Sequence, residues 1–388
     1  MEQSLSFIIN QLGEDRDHYF GAVSPPIVQS TNFCFKTVGD MRERLKNEFC
    51  APFYTRGYNP TVAILRKKIA ALEGAEDCMV FSSGSAAVSS AVISVLKQGD
   101  HVICVRKPYS WTHTLFHQLL SRFGVETDFI DGTNIANFES AIRSNTRLIF
   151  LESPNSMTFE LQDIPAVVEL AKKHDIITMI DNSYATPLNQ QPIQMGVDVV
   201  CHSATKYFSG HSDVVAGAVC GKKEFIDQLF QKELMTLGAI ISPHDAWQLI
   251  KGMRTLPIRL ERVTQTAHKV VAFLESHPKI EKVHYPMSNS HPQHALAIKQ
   301  MKGCGGMFSI QIKTDNFSGV ERFCDALHHF LLACSWGGYE SLAFPVCAFS
   351  DSKETFTSAL PWNLIRVYIG LEEADELIND LSNALEKV

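Results

Sequence analysis

Four short clusters in this 388-residue chain hold residue types that can do chemistry. The densest is His202-Ser203-Ala204-Thr205-Lys206-Tyr207, directly after the apolar run 197–201. An amine at the end of a buried strand can attack an aldehyde while the flanking hydroxyls, Ser203 and Thr205, donate to a phosphate. A loop lysine beside two solvated hydroxyls is the plain alternative. The second cluster is Met179-Ile180-Asp181-Asn182-Ser183-Tyr184. A carboxylate there can keep a pyridinium nitrogen protonated, which makes such a ring an electron sink. A turn or helix-capping aspartate would leave the same pattern. The third, Phe81-Ser82-Ser83-Gly84-Ser85-Ala86-Ala87, passes from strand to helix. Gly84 permits close backbone approach, and a helix start offers free N–H groups to a phosphate; a serine-capped helix explains it as simply. The fourth, Tyr54-Thr55-Arg56-Gly57-Tyr58-Asn59-Pro60, joins an aromatic hydroxyl to a phosphate-pairing guanidinium on a loop. A solvated turn is its bland reading.

The segments between these clusters have a regular rhythm. A helical pattern at 61–73 leads to the apolar run Cys78–Phe81, and a small-residue helix follows at about 85–96. Apolar runs recur at 101–105, 125–130, 147–151, 176–180, 197–201 and 214–220, mostly separated by helix-length amphipathic stretches such as 163–174. Short apolar strands alternating with helices predict a mainly parallel sheet covered on both faces. Sites in such sheets lie at the carboxyl ends of strands, where the second and first clusters fall. Residues 1–52 lack a sustained period and read as an N-terminal arm. After about 245 the rhythm changes. A long helical stretch, 243–276, contains Pro257 and is expected as two helices or one kinked helix. Strands at 308–312 and 364–369 and helices at 318–330 and 372–386 complete a C-terminal α+β domain. The expected organisation is an arm at 1–52, a large domain at 53–245 and a second domain at 246–388.

Bulk composition narrows the classes. With 35 Lys and Arg against 42 Asp and Glu the net charge is −7, which does not suit a nucleic-acid or anionic-membrane partner. No stretch of about 18 apolar residues spans a membrane. Ten cysteines are dispersed without a Cys-x-x-Cys pair, as expected of small buried hydrophobes in a reducing compartment. Residues 1–17 lack the layout of a secretory signal, so a cytoplasmic protein is expected. His113 and His117 have a metal-capable spacing but no evident third ligand, and no metal is expected. His328 and His329 are expected within a helix. A nicotinamide site is not expected, because Ser83-Gly84-Ser85 lacks the Gly-x-Gly-x-x-Gly pattern.

Taken together, the clusters resemble the Cys/Met-metabolism family of pyridoxal-phosphate (PLP) enzymes. The segment Ser203-Ala204-Thr205-Lys206-Tyr207 with Gly210-His211-Ser212-Asp213 is the most specific part, and the resemblance runs from about Pro25 to the C-terminus. It implies an aspartate-aminotransferase-like PLP-transferase fold. It also implies a cofactor, pyridoxal 5′-phosphate, in Schiff-base linkage to Lys206. Asp181 then matches the partner of the pyridinium nitrogen and Tyr109 the aromatic stacked on the ring. Gly84, Ser85, Ser203 and Thr205 match phosphate-binding positions. Tyr54 and Arg56 match a pair reaching into a neighbouring subunit's site, so a homo-oligomer is implied, a dimer at minimum, and two such pairs stacked into a tetramer are expected. Arg366 matches the arginine that grips the substrate α-carboxylate, with Ser335 and Trp336 beside it. The substrate implied is a small sulfur-containing amino acid. Trp336 and Ser156 resemble the bacterial cystathionine β-lyase branch, which gives homocysteine, pyruvate and ammonia, whereas Tyr54–Thr61 resembles the γ-active branch.

Overall fold

A computed structural model describes residues 4–46 and 48–388. Seven strands form the large sheet: β1 Asp77–Phe81, β2 His101–Val105, β3 Glu126–Ile130, β4 Thr146–Glu152, β5 Ile177–Asp181, β6 Val199–Ser203 and β7 Gly217–Gly221. Their order is β1-β7-β6-β5-β4-β2-β3. Only β7 runs against its neighbours, and the pairs from β6 to β3 are parallel. Every residue of β2 and β7 is buried. Helices cover both faces, so these strands carry continuous apolar runs rather than an alternating pattern.

The helix Pro60–Glu73 has Asn59 as its cap and Pro60 in its first turn, and it ends at Gly74 in the left-handed region. The helix Ile164–Lys173 is capped by Asp163 and buries Val167, Val168, Leu170 and Ala171 against the sheet. Ahead of the sheet, residues 5–10 and 38–45 form short helices. Lys68, fully buried, donates to Ile8 O and Ile9 O and pairs with Glu14, which fastens the first of these to the domain.

Five strands form a second sheet: β8 Ile280–His284, β9 Met307–Ile312, β10 Leu331–Leu332, β11 Leu342–Pro345 and β12 Leu364–Tyr368, in the order β10-β11-β12-β9-β8. Between the sheets runs one unbroken helix of 34 residues, Pro243–Ser276, with Pro257 inside it. Packing overrides the break that proline favours. The buried stripe Leu249, Met253, Leu256, Leu260 and Val263 continues through Pro257. Two residues after Pro257, Arg259 reaches back to Gly252 O and across to Tyr207 O, both at 2.8 Å. The helix expected over 318–330 ends at Asp325, and His328 and His329 lie outside it. Their N–H groups donate instead to the Asp380 carboxylate of the helix Ala374–Leu385, a tertiary acceptor that replaces the helical one.

Candidate active site

Three parallel strands, β4, β5 and β6, end side by side. Glu152 pairs in register with Asp181, and Asp181 with Cys201. Ser183 ties two of these ends together. Its N–H donates to Asp181 Oδ1 at 2.9 Å, and its Oγ accepts from Ser203 N at 2.6 Å. Beyond Ser203 the chain turns at once, with Lys206 N donating to Ser203 O at 3.2 Å. The carboxylate and the lysine loop are therefore positioned by one arrangement. The helix Gly84–Val95 abuts the same turn. A methyl group on Gly84 would lie 2.9 Å from Ser203 Cβ, so glycine is what permits this approach. Ser83 caps the helix by accepting from Ala86 N, and the N–H groups of Gly84 and Ser85 have no acceptor within the helix. Thr205 also faces this turn, but its hydroxyl accepts from Ala216 N and donates to Ala216 O.

The second sheet supplies the opposite wall. Lys206 Nζ donates to Ser335 Oγ at 2.6 Å, in the loop between β10 and β11. Ser335 has φ +80° and Gly337 φ +90°. A methyl on Gly337 would lie 2.9 Å from the Lys206 carbonyl carbon, so the loop can press onto the lysine segment only with glycine there. Trp336 is buried edge-on against Tyr184 and Tyr207, and its ring lies 5.6 Å from Lys206 Nζ. Arg366, on β12, donates to Ser335 O at 3.4 Å, meets Met157 Sδ at 3.8 Å and stands over the Phe344 ring at 5.4 Å.

Electrostatics follow from this enclosure. Burial, then the Arg366 charge, brings the Lys206 amine down to about 8. Burial brings the Arg366 guanidinium down to about 10. Removal from water disfavours both cations, and no carboxylate among the described residues hydrogen-bonds either one. Such a pair suits an arriving anion and a nucleophilic amine.

Two groups escaped the motif reading. Glu152, buried, accepts from Tyr109 N at 2.7 Å and from Ser156 N at 2.9 Å. Burial, then the neighbouring Asp181 carboxylate, pushes it up to about 8. Its signal was a carboxylate at the end of an apolar strand, the signal that singled out Asp181. Glu73, also buried, accepts through Oε1 from Asn182 Nδ2 and meets His202 Nε2 behind the strand ends. Nothing local in the sequence marks that pair. Tyr109 is half-exposed over the site, and burial followed by Cys334 raises its hydroxyl. Tyr54 and Arg56 keep their recorded contacts to their own loop: Arg56 lies 5.6 Å over the Tyr54 ring, and Tyr54 bridges Asn32. Both are exposed beside an open recess of about 200 Å³. Among the described residues, no group of three or more His, Cys, Asp or Glu could hold a metal, and no helix is long and apolar enough to cross a membrane.

A family model described as Cys/Met metabolism PLP-dependent enzyme matches residues 7–386. An L-methionine gamma-lyase from Pseudomonas deceptionensis is 40% identical over 94% of this chain and 93% of its own length. A cystathionine beta-lyase from Lactococcus lactis subsp. cremoris is 37% identical over 97% of each. Among solved structures, one described as an O-acetylhomoserine (thiol)-lyase from Campylobacter jejuni has a TM-score of 0.92 and 30% identity, covering 99% of this chain and all of its own. That protein carries N′-pyridoxyl-lysine-5′-monophosphate. The residues here fit such a group. A buried amine of lowered basicity, a carboxylate on the next strand and a helix start that only glycine can bring against Ser203 are what an aldehyde, a ring nitrogen and a phosphate require.

Proposed function

The chain belongs to the Cys/Met-metabolism family of PLP-dependent enzymes, a lyase family, and within it we propose that this enzyme cleaves the Cβ–S bond of cystathionine. Water enters, and homocysteine, pyruvate and ammonia leave. When bound, the cofactor supplies an electron sink for the charge left on Cα. The chain supplies the rest. Arg366 takes the substrate α-carboxylate through its two-pronged guanidinium, with Ser335 beside it. Lys206 would hold the cofactor through its aldehyde, and its free amine would accept the Cα proton. Its lowered basicity keeps much of it neutral near pH 8. Asp181 would pair with the ring nitrogen and Tyr109 would cover the ring. Gly84, Ser85, Ser203 and Thr205 would hold the phosphate, for which Thr205 would exchange its bond to Ala216 O. Tyr54 and Arg56 complete a neighbour's site, so the enzyme is at least a two-fold dimer and, by the same reading, a cytoplasmic tetramer.

The observation carrying the β-reading is Trp336. Cleavage at Cβ needs one proton removed, at Cα, whereas cleavage at Cγ needs a second removed from Cβ. Trp336, wedged against Tyr184 and Tyr207, stands 5.6 Å from the amine, and on our reading this wall would limit the reach of the amine towards a Cβ proton. The 40% identity to an L-methionine gamma-lyase favours γ-cleavage as the second reading. Product analysis decides between them. Cystathionine should give pyruvate and homocysteine; 2-oxobutyrate and cysteine, or rapid release of methanethiol from methionine, would overturn the β-reading.

A further inference from the structure

Glu152 has no role in the reading above, yet it touches more of the site than any other carboxylate. It is the last residue of β4, in register with Asp181 on β5. One oxygen accepts from Tyr109 N, at the start of the loop after β2. The other accepts from Ser156 N, in the loop after β4. The first loop carries the aromatic ring over the site. The second carries Met157, whose sulfur lies 3.8 Å from Arg366. Asn155 organises that second loop from within, its Oδ1 accepting from Met157, Thr158 and Phe159 N. Lys107, in the first loop, also pairs with Glu160 beyond the second at 2.9 Å, but Glu152 is the side chain that bonds both Tyr109 and Ser156.

A carboxylate is poorly placed here on electrostatic grounds. It is buried beside Asp181, and both conditions disfavour its charge. An apolar residue would remove that cost. The two N–H groups are what a carboxylate offers something to, since it presents two acceptor oxygens at once. A glutamine of the same shape has one oxygen and an NH2 group, and NH2 cannot accept from a backbone N–H. It can hold one loop but not both.

We propose that Glu152 is a positioning residue that locks Tyr109 and the Ser156–Met157 loop to the Asp181 strand end, so that the ring-covering group and the Arg366 pocket keep a fixed relation. This rests on the PLP site and not on which carbon–sulfur bond is cut, so the outcome of product analysis leaves it untouched.

The test uses holoenzyme carrying Glu152→Gln. Two measurements need no turnover: visible circular dichroism of the bound cofactor, and absorbance titration with glycine, an amino acid without a leaving group. Bound cofactor should remain near one per chain. The visible dichroic band should lose at least half its amplitude, and the glycine Kd should rise at least about tenfold. Glu152→Asp keeps two acceptors on a shorter arm and should fall between the two. A Glu152→Gln holoenzyme with the wild-type band and a glycine Kd within twofold would overturn the proposal. If Glu152→Gln does not fold, Glu152→Asp takes its place with the same two measurements. A wild-type band and Kd in that variant would likewise overturn the proposal, since a carboxylate drawn back by one methylene keeps both acceptors but must lengthen at least one of the two bonds.

Discussion

Replacing Arg366 by alanine should separate substrate binding from folding. Arg366 is partly buried, and its two hydrogen bonds are long, 3.4 Å to a carbonyl and 3.8 Å to a thioether. Burial lowers its basicity to about 10, the mark of a cation that its surroundings solvate poorly. Little folding energy is therefore tied up in it. Loss of its contact with Phe344 and relief of a buried charge oppose each other, and stability should change by about 1 kcal/mol or less. Binding should behave differently. A carboxylate gripped by two charge-assisted hydrogen bonds gains about 1.5–3 kcal/mol from each. At 1.4 kcal/mol per tenfold, losing both raises KM or a ligand Kd by about 10²–10⁴. Arg366→Lys keeps the charge without the planar fork and should recover only part of this. The assays are a urea melt and a glycine titration of the holoenzyme. A stability loss of about 3 kcal/mol with glycine affinity within threefold of wild type would refute the reasoning and make Arg366 a structural strut.

Four further outcomes are expected. Lys206→Ala should abolish turnover without lowering the melting temperature, because a disfavoured buried amine is removed; most of the activity surviving without added amine would exclude Lys206 as the linking base. Asp181→Asn should cut kcat far more than it lowers the urea midpoint, since an amide cannot neutralise a ring-nitrogen cation; unchanged kcat would leave Asp181 a turn residue. Capture of added PLP by apoprotein, followed by visible absorbance, should accelerate as pH rises towards about 8 and then level off, because the neutral Lys206 amine is the reactive form. Acceleration continuing past pH 10 would indicate an ordinary lysine. Mixed Arg56→Ala and Lys206→Ala subunits should regain activity, since a heterodimer holds one site with neither defect; no recovery after proven subunit exchange would confine Arg56 to its own chain.

Much of the scaffold was legible because local periodicity encodes it. The apolar runs at 101–105 and 147–151 lie within β2 and β4, since burial on both faces writes an unbroken run into the chain. The pattern at 61–73 marked the helix Pro60–Glu73, whose cap Asn59, first-turn Pro60 and closing Gly74 stand at its two ends. The lysine, aspartate and glycine-serine clusters stood out because each sits at a strand end that such runs delimit. Pro257 allows two helices or one kinked helix, and the fold takes the single helix, with its buried stripe packed against the helix Pro60–Glu73 and β8. His328 and His329 lie outside the expected helix and bond a carboxylate 52 and 51 residues away, respectively.

The amino-acid order is enough to establish which residues stand at the ends of which elements. Pairing of those ends across space belongs to the fold. Lys206 meets Ser335 over 129 residues and Ser335 meets Arg366 over 31, contacts that require two sheets to close on one another. Glu152 faces Asp181 only because β4 and β5 are neighbours in a sheet whose order is not the chain order. Strand and helix periods repeat every two and 3.6 residues and are written locally. Sheet order, and the burial that lowers Lys206 and raises Glu152, arise from non-local packing, which no short stretch of sequence carries.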